Sequence, residues 1–198
     1  MFTGIIESIG EVVSVEPRGG DVRMRIAAPD YLQGLRIGDS VATNGVCLTA
    51  IEIGDGGYVA DLSAETLSLT TAAGWAPGRR VNLERALTPD KPLGGHLVSG
   101  HVDGVGKLLS KHEDARSWRL EFESDQSLAK YIPRKGSICI DGVSLTVNDV
   151  DGARFGVNIV PHTAEHTTLG LLQPGDAVNL EVDLIARYLE RLLAQREE

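Results

Sequence analysis

The sequence predicts an all-β protein built as two tandem antiparallel barrels, with one helix appended at the C-terminal end. Three observations carry that prediction. A shift of 97 residues lays the chain on itself, residues 40–84 on 137–181, with about 14 of the 45 aligned positions identical, the mark of an internal duplication. Within each copy, apolar and polar residues alternate with period two between closely spaced glycine turns, as half-buried strands require. Only the last stretch of the chain shows the three- and four-residue apolar spacing of a helix.

Taken in order, the copies open with Thr3-Gly4-Ile5-Ile6-Glu7 and Ser99-Gly100-His101-Val102-Asp103, related by a shift of 96, and one later inserted residue changes the offset to 97. Strand alternation is clear in Val22-Arg23-Met24-Arg25-Ile26 and again in Trp118-Arg119-Leu120-Glu121-Phe122. Turns fall at Arg18-Gly19-Gly20-Asp21, Gly54-Asp55-Gly56-Gly57 and Asp151-Gly152, among 23 glycines in 198 residues where roughly 7% is usual. Asn44-Gly45-Val46-Cys47-Leu48-Thr49 aligns with Asp141-Gly142-Val143-Ser144-Leu145-Thr146, and Pro77-Gly78 with Pro174-Gly175. Five or six short strands per copy leave exposed edges unless the sheet curls shut, hence a barrel in each half. The segment from Leu87 to Gly95, with two prolines and two glycines, reads as the connection, giving barrels over residues 1–96 and 97–183 and a helix over 184–198. That helix aligns Leu184, Ile185, Tyr188, Leu189, Leu192 and Leu193 in one stripe, a natural contact between subunits.

Composition removes several classes of function. With 19 Lys+Arg against 28 Asp+Glu the net charge is −9, so no basic field exists to hold a nucleic acid. No run approaches the ~18 apolar residues of a membrane span, and the opening Met1-Phe2-Thr3-Gly4 lacks the pattern of an export signal, so a cytoplasmic protein is expected. Cys47 and Cys139 are too few to staple a fold and are expected as free thiols.

Differences between the copies show what only one pocket needs. His101 faces Ile5, Ser144 faces Cys47, His162 faces Glu65 and Lys135 faces Gly38. An imidazole exchanges protons near neutral pH and isoleucine cannot, which makes His101 the candidate general acid/base. It lies in the run from Gly94 to Gly104, whose glycines let a flat ligand approach the backbone. Threonines 49 and 146, and 66 and 163, recur in both halves and offer hydroxyls to a polar ligand. Two other motifs are set aside. The stretch from Gly95 to His101 has the outline of a phosphate loop, but His101 stands where the lysine belongs. His162-Thr163-Ala164-Glu165-His166 has the outline of a zinc-peptidase motif, which needs both histidines on one face of a helix and a third ligand beyond, but the equivalent Glu65-Thr66-Leu67-Ser68-Leu69 has no histidine and shares only the threonine, so no metal site is expected.

On Met1 to Glu7, Asn44 to Thr49, Gly94 to Gly104 and Asp141 to Val147, the chain resembles the riboflavin synthase alpha-subunit family, over both repeats and the terminal helix. The resemblance implies six-stranded Greek-key barrels, each holding one 6,7-dimethyl-8-ribityllumazine. It also implies a homotrimer joined through the C-terminal helices, which a lumazine-synthase shell can enclose. The implied reaction is a dismutation of two lumazines to riboflavin and 5-amino-6-(D-ribitylamino)uracil, the transfer of a four-carbon unit, with no metal or redox cofactor. His101, Ser144, Cys47 and Asp183 are the implied catalytic residues, at a composite site between the N-terminal barrel of one subunit and the C-terminal barrel of its neighbour. Implied ligand contacts in the first barrel are Gly4, Ile5, Ile6, Cys47, Leu48, Thr49, Asp61, Leu62, Ser63, Ala64, Glu65 and Thr66, with Phe2 close by. In the second they are Gly100, His101, Val102, Lys135, Ser144, Leu145, Thr146, Asn158, Ile159, Val160, Pro161, His162 and Thr163. The rival reading is a monomeric antenna protein that holds a lumazine or flavin without reacting it; a flavin reductase would need a nucleotide-binding turn that the sequence lacks.

Overall fold

The structure, a computed structural model, describes residues 1–28 and 33–194 and contains two antiparallel sheets. The first is formed by β1 (Ser8–Arg18), β2 (Asp21–Ala27), β3 (Ser40–Thr43), β4 (Val46–Thr49), β5 (Glu52–Gly54), β6 (Gly57–Leu62) and β7 (Arg80–Arg85), in the order β4-β3-β7-β1-β2-β6-β5. The second is a closed barrel of β8 (Gly104–Asp114), β9 (Ser117–Glu123), β10 (Ser137–Ile140), β11 (Val143–Asp151), β12 (Arg154–Ile159) and β13 (Ala177–Val182), in the order β10-β11-β12-β9-β8-β13.

The first half departs from six strands in one way. Shifted by 97 residues, β4 and β5 together cover the same span as the single strand β11, so the seventh strand is one strand divided at Ala50 and Ile51. At that corner the backbone changes neighbours. Ala50 N–H donates to Asp39 O at 2.9 Å while Ile51 N–H donates across to Val59 O at 2.8 Å, carrying the chain from β3 to β6. In the second half the ladder only slips in register between Val147 and Asp149, and the strand stays whole.

Each barrel buries its own alternating face, with matched positions filled alike: Val12 and Leu108, Met24 and Leu120, Ile26 and Phe122, Leu83 and Leu180 are all at most 1% exposed. One exchange is compensated chemically. Tyr58 in the first core stands where the second has Phe155, and its hydroxyl pairs at 2.6 Å with Thr43, which stands where the second has Ile140. A buried hydroxyl needs a partner, so the pair changes together. Burial raises the Tyr58 phenol well above its usual range.

The barrels meet about a pseudo-twofold axis. Phe2 and Val98, equivalent by the shift of 96, exchange backbone hydrogen bonds of 2.7 and 3.1 Å and form a small core with Ala42 and Cys139. Asn82 donates from Nδ2 to Asp141 O at 2.9 Å and accepts Thr168 N–H at 2.7 Å; its counterpart Asn179 does the same with Asn44 O at 2.8 Å and Thr71 N–H at 2.7 Å. The Asn44-Gly45 and Asp141-Gly142 turns press together so closely that a Cβ on Gly45 would lie 2.7 Å from Gly142 N. All four turn residues have positive φ, between 45° and 85°, which Asn, Asp and Gly tolerate best.

Among the described residues three α-helices accompany the strands. The short helices α1 (Ala64–Leu69) and α2 (Pro161–His166) close equivalent ends of the two barrels, and α3 (Leu184–Ala194) follows β13. The zinc-like stretch is therefore helical, with the His162 and His166 rings stacked at 4.1 Å. The expected terminal helix is present as α3; residues 195–198 lie outside the described residues. Arg187 ties α3 to the second barrel, donating to Asp103 Oδ2 and His101 O, each at 2.7 Å, and Lys130 pairs with Glu190. Among the described residues no helix is long and apolar enough to cross a membrane.

Candidate active site

Two equivalent carboxylates fix the loops that carry the candidate residues. Glu84, buried on β7, accepts from Thr3 N, Thr3 Oγ1 and Gly4 N at 2.8, 2.6 and 2.9 Å. Glu181, buried on β13, accepts from Ser99 N, Ser99 Oγ and Gly100 N at 2.7, 2.6 and 2.9 Å. Burial pushes the Glu181 carboxyl above its usual value, opposed by the Ser99 hydroxyl and amide. A buried acceptor filled by three donors holds its loop in one conformation.

Each loop then crosses to the other barrel. Ser144 N–H donates to Gly4 O at 2.8 Å, and Cys47 N–H donates to Gly100 O at 2.9 Å. The first loop therefore lies against the second barrel's Ser144, and the second loop against the first barrel's Cys47. This corrects the sequence-based grouping of Gly4, Ile5 and Ile6 with Cys47, and of Gly100, His101 and Val102 with Ser144. A repeat offset says which residues are equivalent but cannot say which copy they touch.

The pocket against the first barrel is a cavity of about 240 Å³, bordered by Cys47, Glu65, Thr66 and, from the crossing loop, Gly100, His101 and Val102. Cys47 is half-buried, whereas His101 is exposed. At its rim Ser63 caps α1 by accepting Thr66 N–H at 3.2 Å, and Asp61 is held below the usual carboxylate range chiefly by its hydrogen bond to Arg23. Leu48 and Leu62 point into the core, at 3% and 0% exposure, so only their backbone can face a ligand; the same holds for Ile159. Phe2 is fully buried beneath this pocket, where a Cβ on Gly100 would come within 2.9 Å of its ring. It supports the loop from below.

Around Ser144 the crossing loop is packed tightly. A Cβ on Gly4 would sit 2.5 Å from Ser144 Cβ, and one on Gly95 would sit 2.9 Å from Ser144 Oγ. Next to Gly95 stands His96, whose Nδ1 lies 2.6 Å from Ser144 Oγ. Burial lowers the His96 pKa, and the negative charge of Asp183 opposes that shift. Asp183 also caps α3, accepting Ile185 N–H at 3.0 Å. Of the flanking candidates, Leu145 is half-buried, Thr146, Asn158, Val160, Pro161 and His162 are exposed and Thr163 is partly buried. Lys135 is exposed in the left-handed region, φ 67°, where Gly38 sits at 92° in the first half; a lysine held there at a cost of about 1 kcal/mol suits a residue kept for its side chain.

The four catalytic candidates thus fall into two places, Cys47 with His101 at one, and at the other Ser144 with His96, whose ring feels the charge of Asp183. The comparison of the two copies passes over His96 because it lies in the connection between them, outside the aligned stretches, leaving no difference between halves to notice. Its place in the Gly94 to Gly104 run was the available signal.

Two halves of one design, each with a crossing glycine loop over a hydroxyl or thiol, define a duplicated-barrel protein with a small-ligand pocket at Cys47 and an equivalent, chemically unequal position at Ser144. Residues 3–86 and 99–183 both match the family model of the lumazine binding domain. Curated riboflavin synthases align over nearly the whole chain. The one from Photobacterium phosphoreum is 45% identical over 98% of this chain and 89% of its own, and that of Mycobacterium tuberculosis is 43% identical over 98% of both. The Saccharomyces cerevisiae enzyme is 40% identical over 96% of this chain and 85% of its own. Among solved structures, LumP complexed with riboflavin superposes with a TM-score of 0.86 at 25% identity, covering 92% of this chain and 99% of LumP. LumP with 6,7-dimethyl-8-(1'-D-ribityl)lumazine gives 0.83 at 24% identity over the same shares. The chain belongs to the lumazine-binding-domain family and, within it, to the riboflavin synthases.

Proposed function

We propose that this chain catalyses the dismutation of two 6,7-dimethyl-8-ribityllumazine molecules to riboflavin and 5-amino-6-(D-ribitylamino)uracil, moving a four-carbon unit from one to the other. The observation that carries the reading is the pair of equivalent but chemically unequal loop crossings, Gly100 over Cys47 and Gly4 over Ser144, in a member of the synthase family. A dismutation needs two copies of one substrate in distinct roles, and a Cys47–His101 site beside a Ser144–Asp183 site supplies that asymmetry. The steps are proton removal from the 7-methyl group, attack of the resulting carbanion on the second lumazine, and proton transfers that accompany elimination. His101, Cys47 and Ser144 carry the groups able to move protons in these steps, and Asp183 supplies negative charge. His101 is exposed where a second subunit can cover it.

Pairing of pockets from different subunits fits a homotrimer assembled through α3. Its Ile185, Tyr188, Leu189, Leu192 and Leu193 are all more than half exposed, an apolar stripe unusual for a lone soluble chain. We place the enzyme in the cytoplasm, beside the other reactions that handle its small-molecule substrate.

The test mixes the purified protein with 6,7-dimethyl-8-ribityllumazine alone and follows riboflavin absorbance. Two lumazines consumed per riboflavin, without added metal, is the expected result. Tight binding without conversion would make the chain an antenna protein instead.

A further inference from the structure

The Ser144–His96 contact is assembled from three separated stretches of chain, which marks it as more than a chance surface pair. His96 N–H donates to Thr3 O at 3.1 Å, anchoring the linker to the first loop. Gly95 passes so close that a Cβ there would meet Thr3 O at 2.1 Å, so only glycine lets the imidazole reach Ser144. One ring nitrogen, Nδ1, meets Ser144 Oγ at 2.6 Å; the other, Nε2, is buried without a hydrogen-bond partner. Because burial lowers its pKa, the imidazole is neutral near pH 7 and has a lone pair to offer. Asp183 supplies the negative charge that reaches the ring. Among the described residues no imidazole hydrogen-bonds Cys47, the counterpart of Ser144, so the two pockets are provided for differently.

We propose that His96 is the positioning residue of the second pocket, holding and returning the Ser144 hydroxyl proton so that the serine oxygen acts as acid and base towards the substrate. The proposal rests on the dismutase reading above. Ser144 Oγ takes the proton of a substrate C–H bond as its own proton passes to His96 Nδ1. One C–H and one O–H bond break, one O–H and one N–H bond form, and the carbanion is balanced by an imidazolium facing Asp183. The return path restores both groups, so no outside acid or oxidant is needed.

His96→Asn separates this role from a structural one. The asparagine side-chain oxygen can still accept a hydrogen bond from the Ser144 hydroxyl near the Nδ1 position but cannot take up its proton. In the full-length protein, with 6,7-dimethyl-8-ribityllumazine and pH varied from about 5.5 to 9, kcat is expected to fall about 100-fold while KM stays within about threefold. The low-pH limb of the kcat profile should disappear. Adding Ser144→Ala to His96→Asn should cost less than about threefold more, since residues acting as a unit are not additive. Retention of kcat within about threefold in His96→Asn, or independent losses in the double variant, overturns the proposal. Should His96→Asn fail to bind lumazine by fluorescence, His96→Gln is judged by the same criteria. Failure of the wild-type protein to convert lumazine would bring down the functional reading itself, whereas conversion by wild type with an unimpaired His96→Asn brings down the His96 role alone.

Discussion

Asp141→Asn should stabilise the protein at alkaline pH and leave it unchanged in acid. Asp141 is 1% exposed at the barrel interface, where Oδ1 accepts Asn179 N–H at 2.8 Å and Oδ2 has no partner. Burial raises its pKa from 3.8 to about 7, against the pull of the Asn179 amide and of Arg79, with Asp176 adding a little in the same direction as burial. A carboxyl with a raised folded pKa favours the native state most when protonated. Its contribution is complete below about pH 4 and is lost as pH rises through about 7. A difference of about 3 pH units at about 1.4 kcal/mol each is worth about 4 kcal/mol. The amide cannot ionise, has nearly the same shape, and already serves at the equivalent Asn44, whose Oδ1 accepts Asn82 N–H at 2.7 Å. At pH 8.5 the variant should therefore melt about 8–15 °C above wild type, and at pH 4 within about 3 °C, for a domain of this size. The assay is thermal unfolding of both proteins across this range at one protein concentration and without ligand. Other titrating groups are common to both proteins and cancel in the difference. A difference between the two melting temperatures that stays flat with pH would mean that Asp141 does not titrate as its burial requires.

Further predictions follow from packing. Gly4→Ala should abolish lumazine binding, measured by fluorescence, because its Cβ would fall 2.5 Å from Ser144 Cβ at φ +75°. Gly20→Ala, at φ +108° with nothing within 4 Å, should cost only about 1 kcal/mol in urea unfolding and leave turnover intact. Thr43→Val strands the buried Tyr58 hydroxyl and should cost about 1–3 kcal/mol, most of it recovered by adding Tyr58→Phe, since the pair then becomes apolar as in the second barrel. Leu189→Glu with Leu192→Glu should yield a smaller particle by light scattering, and loss of turnover with it, if α3 joins subunits that share a site; an unchanged mass would remove the helix from assembly.

How much was legible in the sequence depended on the range of the interaction. The duplication, the alternating strands and the α3 stripe are visible because each arises from residues close in sequence, or from one repeated offset. So was the residue chemistry at Cys47, Ser144 and His101, exposed by comparing copies. Six-residue helices such as α1 and α2 span under two turns, too short for a period to register. The division of β4 from β5 depends on which neighbour accepts at Ala50 and Ile51, a matter of barrel closure and not of local propensity.

Repetition within the chain was enough to reveal two like positions and the functional groups each contains. Which loop joins which barrel is set by how the two halves pack. Glu84 and Glu181 fix the two loops, and the pseudo-twofold axis then carries Gly4 onto Ser144 and Gly100 onto Cys47. It also sets His96, part of the connection between barrels, against Ser144 Oγ. Those contacts join residues from about 50 to 140 positions apart, and hydrogen bonds at such separations are specified by the packing of whole barrels, which no local pattern encodes.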